Sequence, residues 1–357
     1  MASPSKAIES RKAPAVTIVV GVRNMRTTIG KCIESLLKCE YQDKDIIIVD
    51  DGSSDGTPDV IRKYPVKLVS IPASGIAKAR DIGYKESHGD IVAYTDADCE
   101  VQEDWVLRFV KYFANPSISA VTGRTVFQPG TDVSSLCRSA EYAIRYGRLG
   151  PSVKMATGPN CAFRRSSLEQ VGGFDVGVAF GEDAVVSYRL IEAGLKIVYD
   201  DKMIVHHVPE QGLRRYYRKR YRDAKSFVGV AFDHRTVVSK DRFVGFKVVT
   251  TPFISLSIII CLALAVIYGP LVYVVGALLA VSAVLESREA LLASRIGDSR
   301  LVFFKALLLL LGRGFVQAGG LVLGVLGVML GTRNKGGGIG SVNLDAKAEQ
   351  LSAESSQ

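Results

Sequence analysis

The sequence predicts an α/β domain built on a doubly wound, mostly parallel sheet, followed by C-terminal transmembrane helices. From Val16 to about Lys202, short β-branched runs alternate with amphipathic stretches, the pattern of a parallel sheet with crossover helices. Beyond Val208 the composition changes, first to a basic and aromatic run and then to long apolar tracts. The chain has 357 residues, 23% of them charged and 48% hydrophobic, which excludes collagen-like and disordered classes. Its mean hydropathy of +0.19 is high for a chain this charged, so the apolar residues must be unevenly distributed.

Candidate strands run over Val16 to Val22, Asp45 to Val49, Val66 to Ser70, Ile91 to Thr95, Ser119 to Thr125 and Lys196 to Tyr199. Between the first four lie helices near Thr28 to Lys38, Thr57 to Lys63 and Gly75 to Glu86, opened or closed by Gly, Pro, Ser or Thr. In such sheets ligands bind at the carboxyl ends of the strands, so the loops after Val22, Val49 and Thr95 are where chemistry is expected.

Leu213 to Arg222, LRRYYRKRYR, interleaves basic and aromatic residues. Thr251 to Leu285 is almost free of charge and is broken by Gly269 and Pro270, which reads as a tight membrane hairpin, since a bilayer core needs roughly 20 apolar residues per crossing. A second tract, Leu301 to Gly331, is interrupted by Lys305 and by Gly312-Arg313-Gly314. Periodicity leaves open one long helix, a second hairpin, or an interfacial helix plus one span. Arg242, Lys247, Arg295, Arg300 and Arg333 flank these tracts in a positive-inside pattern. Gly320-x-x-x-Gly324 and Gly327-x-x-x-Gly331 would permit close helix approach, within one chain or in a homodimer.

The net charge of +9 suits anionic partners such as phosphates or an acidic membrane surface. Six cysteines without a CxxC pair argue for a reducing compartment and against a zinc site. The first fifteen residues lack the apolar core of a secretory signal, so the following domain is expected on the cytoplasmic side, with residues 1–15 and 332–357 disordered.

Ile46 to Thr57, IIIVDDGSSDGT, ends a strand with Asp50 and Asp51, which either accept from a pyrimidine imide and ribose hydroxyls or cap the next helix. Gly52-x-Ser54-x-Gly56 formally matches a nucleophile elbow, with His206 and His207 downstream. That reading is rejected, because such an elbow follows a mid-sheet strand with several strands already laid down, and only one strand precedes the one that leads into Ser54. No GxGxxG follows the first strand, and Met25 occupies the place of a Walker A glycine. Ile91 to Glu100, IVAYTDADCE, ends a strand with Asp96 and Asp98, expected on one side of an extended chain. Two hard oxygen donors at this spacing suit Mg²⁺ or Mn²⁺. His206 or His207, at the end of IVHHV, is available to complete that metal site or to hydrogen-bond backbone.

VDDGSSDGT, SGIAKARDIGYKESHGDIVAYTDAD, TGPNCAFRRSSLEQVGGFD and GEDAVVSYRLIEAG, in this order, resemble glycosyltransferase family 2, over about Val16 to Arg222. The resemblance implies a catalytic domain of Rossmann-like GT-A fold, expected over residues 16–235, and the apolar tracts, which lie outside the resemblance, place a juxtamembrane and transmembrane region over 236–331. It implies that Val22, Arg23, Asp50 and Asp51 hold the nucleoside, that Arg80 stands beside the donor with Asp81 where Asn is usual, and that Asp96 and Asp98 bind metal. It further implies that Gly158 and Asn160 close on the donor sugar, and that Glu182 and Asp183 face the acceptor, Asp183 as base. Arg218 and Arg220 stand where processive members carry a Gln-x-x-Arg-Trp box, here without the Trp, and read as a diphosphate clamp or a juxtamembrane basic face.

The expected function is an inverting, metal-dependent transfer from a nucleotide-sugar donor to a membrane-embedded acceptor, a polyprenyl or dolichyl phosphate or a lipid-linked saccharide. The partners are that donor, that acceptor and the membrane, and not nucleic acid. The alternatives are a processive polysaccharide synthase and a catalytically silent nucleotide-sugar-binding membrane subunit.

Overall fold

A computed structural model describes residues 13–178, 181–208 and 211–331. The expected disordered tail at 332–357, and most of the expected disordered N-terminus, lie outside the described residues. In chain order the elements are β1 (Val16–Val22), α1 (Ile29–Leu37), β2 (Lys44–Asp51), α2 (Thr57–Ile61), β3 (Lys67–Ile71), α3 (Ile76–Lys85), β4 (Ile91–Asp96), β5 (Cys99–Val101) and α4 (Trp105–Val110). There follow β6 (Ile118–Phe127), α5 (Val133–Tyr146), β7 (Ser152–Val153), β8 (Cys161–Arg164), α6 (Arg165–Gln170), α7 (Glu182–Glu192) and β9 (Lys196–His207). The C-terminal part is helical: α8 (Leu213–Asp233), α9 (Arg235–Val238), α10 (Gly245–Ala265), α11 (Leu271–Ile296) and α12 (Arg300–Met329).

The strands form one sheet in the order β3-β2-β1-β4-β8-β6-β9-β5, with β7 also on β9. The four strands β1 to β4 run parallel, and the near-continuous apolar sequences of β1, β2 and β4 reflect burial on both faces, while the edge strand β3 is partly exposed. The chain leaves β1 toward β2 on one side and returns to β4 on the other, so a topological switch point opens at their carboxyl ends. Register sets Val22 opposite Asp50 and Gly21 opposite Asp96, bringing the expected nucleoside and metal loops to one rim.

The far half of the sheet is mixed. β8 runs antiparallel to β4 and β6, and β5 and β7 run antiparallel to β9. β9 extends to His207 past a register shift at Gly123/Arg124, longer than the sequence indicated, and carries both histidines to the same rim.

Three helices, α10, α11 and α12, are long and apolar enough to cross a membrane, with mean hydropathies of 2.3, 1.7 and 1.8. The hairpin forms as expected, turning at 266–270. The second tract is one continuous helix: Gly312 and Gly314 do not break α12 but let it approach Tyr217 and the pair Thr251 and Ser255. Gly320 and Gly324 are likewise occupied within the chain, lying against the α8 backbone at Tyr221 and Lys225. The basic helix α8 therefore packs directly on α12. Tyr216 is buried with Leu309 and Leu310, and the Tyr217 hydroxyl donates to the Leu309 carbonyl at 3.0 Å.

Candidate active site

Several loops converge at the carboxyl rim. The loop after β1 is stitched to the loop after β2: Ser53 Oγ accepts from the Asn24 amide at 2.9 Å, and Asn24 Oδ1 accepts from the Ser54 amide at 2.8 Å. Asn24 takes a positive φ of 53°, a conformation Asn tolerates better than most residues. Asp51 accepts from the Gly75 amide at 2.9 Å, tying the N-terminus of α3 to β2, and Arg23 lies 3.8 Å away.

Arg80 projects from α3 into this rim, buried, and bridges two loops. Its Nη1 donates to Glu182 Oε1 at 2.6 Å and its Nη2 to Asp96 Oδ1 at 2.8 Å. Burial would pull its pKa down, but Glu182 and Asp96 more than offset this, so it is held above its ordinary value and stays charged. Burial pushes the Glu182 carboxyl up, against the opposing pull of Arg80. A Cβ at position 158 would press on the Arg80 guanidinium, so glycine here leaves room for the bridge. The Gly158 amide in turn donates to Asp183 Oδ2 at 2.8 Å, and the Ala184 amide donates to Asp183 Oδ1 at 2.8 Å.

Asp96 ends β4, and Ala97 and Asp98 form the turn into β5. The two carboxylates thus converge through a turn rather than through strand alternation, correcting the sequence argument but not its outcome. His207 Nε2 lies 3.9 Å from Asp96 Oδ2 and 3.6 Å from Asp98 Oδ1. Its Nδ1 is 2.7 Å from the Val208 carbonyl, which can only accept, so Nδ1 carries a proton that is donated there while Nε2 faces the carboxylates. Ligand atoms of Asp96, Asp98, Cys99 and His207 all lie within 4.8 Å of one another. Of these four, the two carboxylates and the imidazole are the donors suited to a hard divalent cation, and the Cys99 thiol is a soft one. That donor set fits Mg²⁺ or Mn²⁺.

These groups line one cavity of about 730 Å³, which also takes in Val22, Arg23, Asp51, Gly158, Asp183 and Arg220. The same cavity reaches Phe227 on α8, Pro252 on α10 and Leu321 on α12. A larger concavity, about 1240 Å³, lies at the opposite, amino end of the sheet beside Tyr41, Lys44 and Pro65, remote from these carboxylates.

Comparison with known proteins agrees with this geometry. Residues 17–172 match the family described as Glycosyl transferase family 2. This segment is a glycosyltransferase family 2 domain. Among curated proteins the chain is 26% identical to poly-beta-1,6-N-acetyl-D-glucosamine synthase of Staphylococcus epidermidis, over 61% of this chain and 55% of the relative. It is 29% identical to pre-mycofactocin glycosyltransferase of Mycobacterium tuberculosis, over 56% of this chain and 44% of the relative. The matched region is thus about half the length of these relatives. A solved mannosyltransferase from Pyrobaculum calidifontis, in complex with GDP-Man and Mn²⁺, superposes with a TM-score of 0.56 at 20% identity. It covers 89% of this chain and 88% of its own. The fold is therefore GT-A.

Within the glycosyltransferase family 2 domain, the expected site residues divide. Four of them do not line the cavity. Asp50 is buried behind Asp51, with Oδ1 unpartnered and Oδ2 3.4 Å from the Ser53 amide. Asn160 is fully buried and structural: its amide donates to the Met203 carbonyl at 2.8 Å and accepts from Trp105 Nε1 at 2.9 Å. Arg218 is exposed on the outer face of α8. His206 faces away from the cluster, because alternate residues of β9 point to opposite faces and His207 is the one beside Asp98. Arg220 reaches the cavity wall, but its guanidinium is engaged with Glu141 Oε2 at 2.8 Å, so it braces α8 against α5. Sequence reasoning missed Phe127, whose ring stacks on His207 at 4.6 Å, and the α5 side chains Arg138 and Tyr142.

Proposed function

We propose that this protein is a membrane-bound inverting glycosyltransferase that moves a sugar from a nucleotide-sugar donor to a membrane-embedded acceptor, a polyprenyl phosphate or a lipid-linked saccharide. The observation that carries the reading is the continuity of one cavity from Asp96, Asp98 and His207 to Pro252 and Leu321 of the apolar helices. A donor held at the sheet rim would then meet an acceptor delivered along those helices, and confinement to one surface raises its effective concentration. The α10–α11 hairpin and α12 make the chain multi-pass, with the catalytic domain on the cytoplasmic side, where nucleotide sugars and the basic flanks Arg242, Arg295 and Arg300 both belong.

Asp51 and Arg23 receive the nucleoside, and Asp96, Asp98 and His207 would hold Mg²⁺ or Mn²⁺. When bound, the ion supplies positive charge to the departing diphosphate. Asp183, fixed by the amides of Gly158 and Ala184, keeps lone pairs toward the cavity and takes the proton of a hydroxyl acceptor. A phosphate acceptor arrives already ionised and needs no such base. Arg80 positions Asp96 and Glu182 across the cavity floor.

The names of the relatives favour a second reading, a processive synthase that extends a polysaccharide. Product sizing separates the two: a single added sugar supports the first, a ladder the second. For either, full-length protein in detergent with Mn²⁺ is expected to release nucleoside diphosphate from a UDP- or GDP-sugar. Asp98→Asn is expected to cut that rate by about 10²–10³-fold, the size of effect seen when a group that stabilises transition-state charge is removed. Full activity in Asp98→Asn would refute the assignment of the metal site.

A further inference from the structure

Burial of a guanidinium is costly unless a counter-charge or hydrogen-bond acceptors compensate it. Among the described residues four arginines are buried: Arg80, Arg138, Arg220 and Arg313. Arg80 meets Asp96 and Glu182, Arg220 meets Glu141, and Arg313 meets Glu286 and Glu289. Arg138 differs. It is only 6% exposed, and its Nε and Nη1 have no hydrogen-bond partner.

Its surroundings hold the side chain and Glu141 attracts it, but neither gives Nε or Nη1 an acceptor. The guanidinium carbon lies 5.1 Å from the Phe127 ring centroid and 4.6 Å from that of Tyr142, so two aromatic rings fix it by cation–π contact. Phe127 also stacks on His207, which sets Arg138 one ring away from the carboxylate cluster. The nearby acid on the same helix, Glu141, is already engaged by Arg145 at 2.6 Å, Arg220 at 2.8 Å and Arg313 at 3.6 Å. Arg138 nonetheless lines the catalytic cavity. A permanently charged, rigidly stacked and unpaired donor at a cavity wall is prepared for an anion that arrives with a substrate.

We propose that Arg138 holds an oxygen of a substrate phosphate group inside the cavity, either the lipid phosphate of the acceptor or the diphosphate of the donor. The proposal rests on the transferase reading for the identity of the substrates, and on the structure alone for the need of an anion. The signature follows from the unpaired charge: neutralising Arg138 leaves the ligand-free protein as stable as before or more so, and abolishes its response to phosphate.

The first test uses inorganic pyrophosphate as the probe, with full-length protein in detergent and EDTA present. Pyrophosphate is expected to raise the thermal midpoint of the wild type, to raise that of Arg138→Lys less, and to leave Arg138→Gln unmoved from a starting midpoint at or above the wild type. A wild-type midpoint that ignores pyrophosphate overturns the proposal. So does an Arg138→Gln variant that keeps the full shift, or one that starts several degrees lower, the mark of a packing residue.

The second test assigns the source. A rise of about tenfold or more in KM for a short-chain polyprenyl phosphate, with nucleoside diphosphate affinity unchanged, identifies the acceptor phosphate. A comparable loss of nucleoside diphosphate affinity, with nucleoside monophosphate affinity unchanged, identifies the donor. If neither changes, the proposal fails. Wild-type protein that turns over no nucleotide sugar would instead sink the transferase reading, while the pyrophosphate response still decides the anion site.

Discussion

Two clusters of arginine and carboxylate lie at opposite ends of the catalytic cavity's supporting wall, and they differ in what they leave unsatisfied. At the sheet rim, Asp96, Asp98, Glu182 and Asp183 crowd around the single buried cation Arg80, and the Asp96 and Asp98 side chains remain 29% and 21% exposed. Beneath α5, Glu286 and Glu289 are 0% and 4% exposed. They are shared between Arg313, at 2.8 Å from each, and Lys247, at 2.5 and 2.8 Å. The first cluster carries excess negative charge facing a cavity and can accept a cation. The second is buried and its two glutamates are matched by two cations, although Glu286 Oε1 has no hydrogen-bond partner, and it fastens α10, α11 and α12 to the catalytic domain through Glu141. The same residue types thus bind or fasten according to whether charge is left over where a ligand can reach it.

The largest expected loss of stability comes from unbalancing the buried cluster. Arg313→Ala leaves two buried glutamates with only Lys247 and is expected to cost about 3–5 kcal/mol, measured by detergent-solubilised unfolding. Replacing Lys247, Glu286, Glu289 and Arg313 together by Met or Leu should recover most of that loss, because no buried charge then remains unpaired. A quadruple variant as unstable as the single one would show that the cluster does more than fasten.

Next in size is the rim. Arg80→Gln removes a cation 2.8 Å from Asp96, so free Mn²⁺ should bind more tightly, while turnover should fall about 10–100-fold because Asp96 and Glu182 lose their shared support. Opposite signs for metal affinity and rate are the diagnostic outcome. A parallel loss of both would mean that Arg80 only maintains the fold.

The rim was largely readable from sequence and the fastening cluster was not. Val16–Val22 could be bounded to the residue because a β-branched run ends at Arg23 and Asn24, and the DxD carboxylates follow an equally plain strand. β5, β7 and β8 are only two to four residues long, too short for a periodicity, and exist because neighbouring strands supply their hydrogen bonds. Without β5 there was no register to choose between His206 and His207. Asn160, in a Gly-Pro-Asn turn, read as a residue facing ligand, yet its amide joins elements distant in sequence, which local pattern does not encode. In α8 the signal was present: Tyr216, Arg220 and Ala224 recur at helical spacing and are the buried face, which already turns Arg218 outward. Gly312-Arg313-Gly314 looked like a helix break because glycine has low helix propensity, and only packing against Tyr217 and Ser255 explains its place inside α12.

The α8–α12 seam gives an intermediate test. A Cβ at Gly320 would lie 2.6 Å from the Tyr221 carbonyl oxygen and 3.0 Å from Ala224 Cβ, so backbone must move. Gly320→Ala is expected to cost about 1–3 kcal/mol, the range for overpacking a closed contact. The outward-facing Gly319, with open space around its Cα, should tolerate Ala without loss. Equal effects at the two positions would refute the seam.

The smallest expected effect lies at the helix that carries both clusters' neighbours. α5 begins at Asp132, whose Oδ1 accepts from the Ser135 amide at 2.8 Å and whose Oδ2 accepts from the Gly212 amide at 3.0 Å, joining the start of α5 to the start of α8. Despite partial burial, these bonds and that from the Ser134 hydroxyl hold its carboxyl below the ordinary range. Its contribution is therefore present above the unfolded pKa and is lost as pH falls through the folded one. Asp132→Ala should cost about 1 kcal/mol at neutral pH, the usual value of an N-cap. The wild type and the variant should converge in stability on acidification, whereas a cap acting only by shape would keep them apart at every pH.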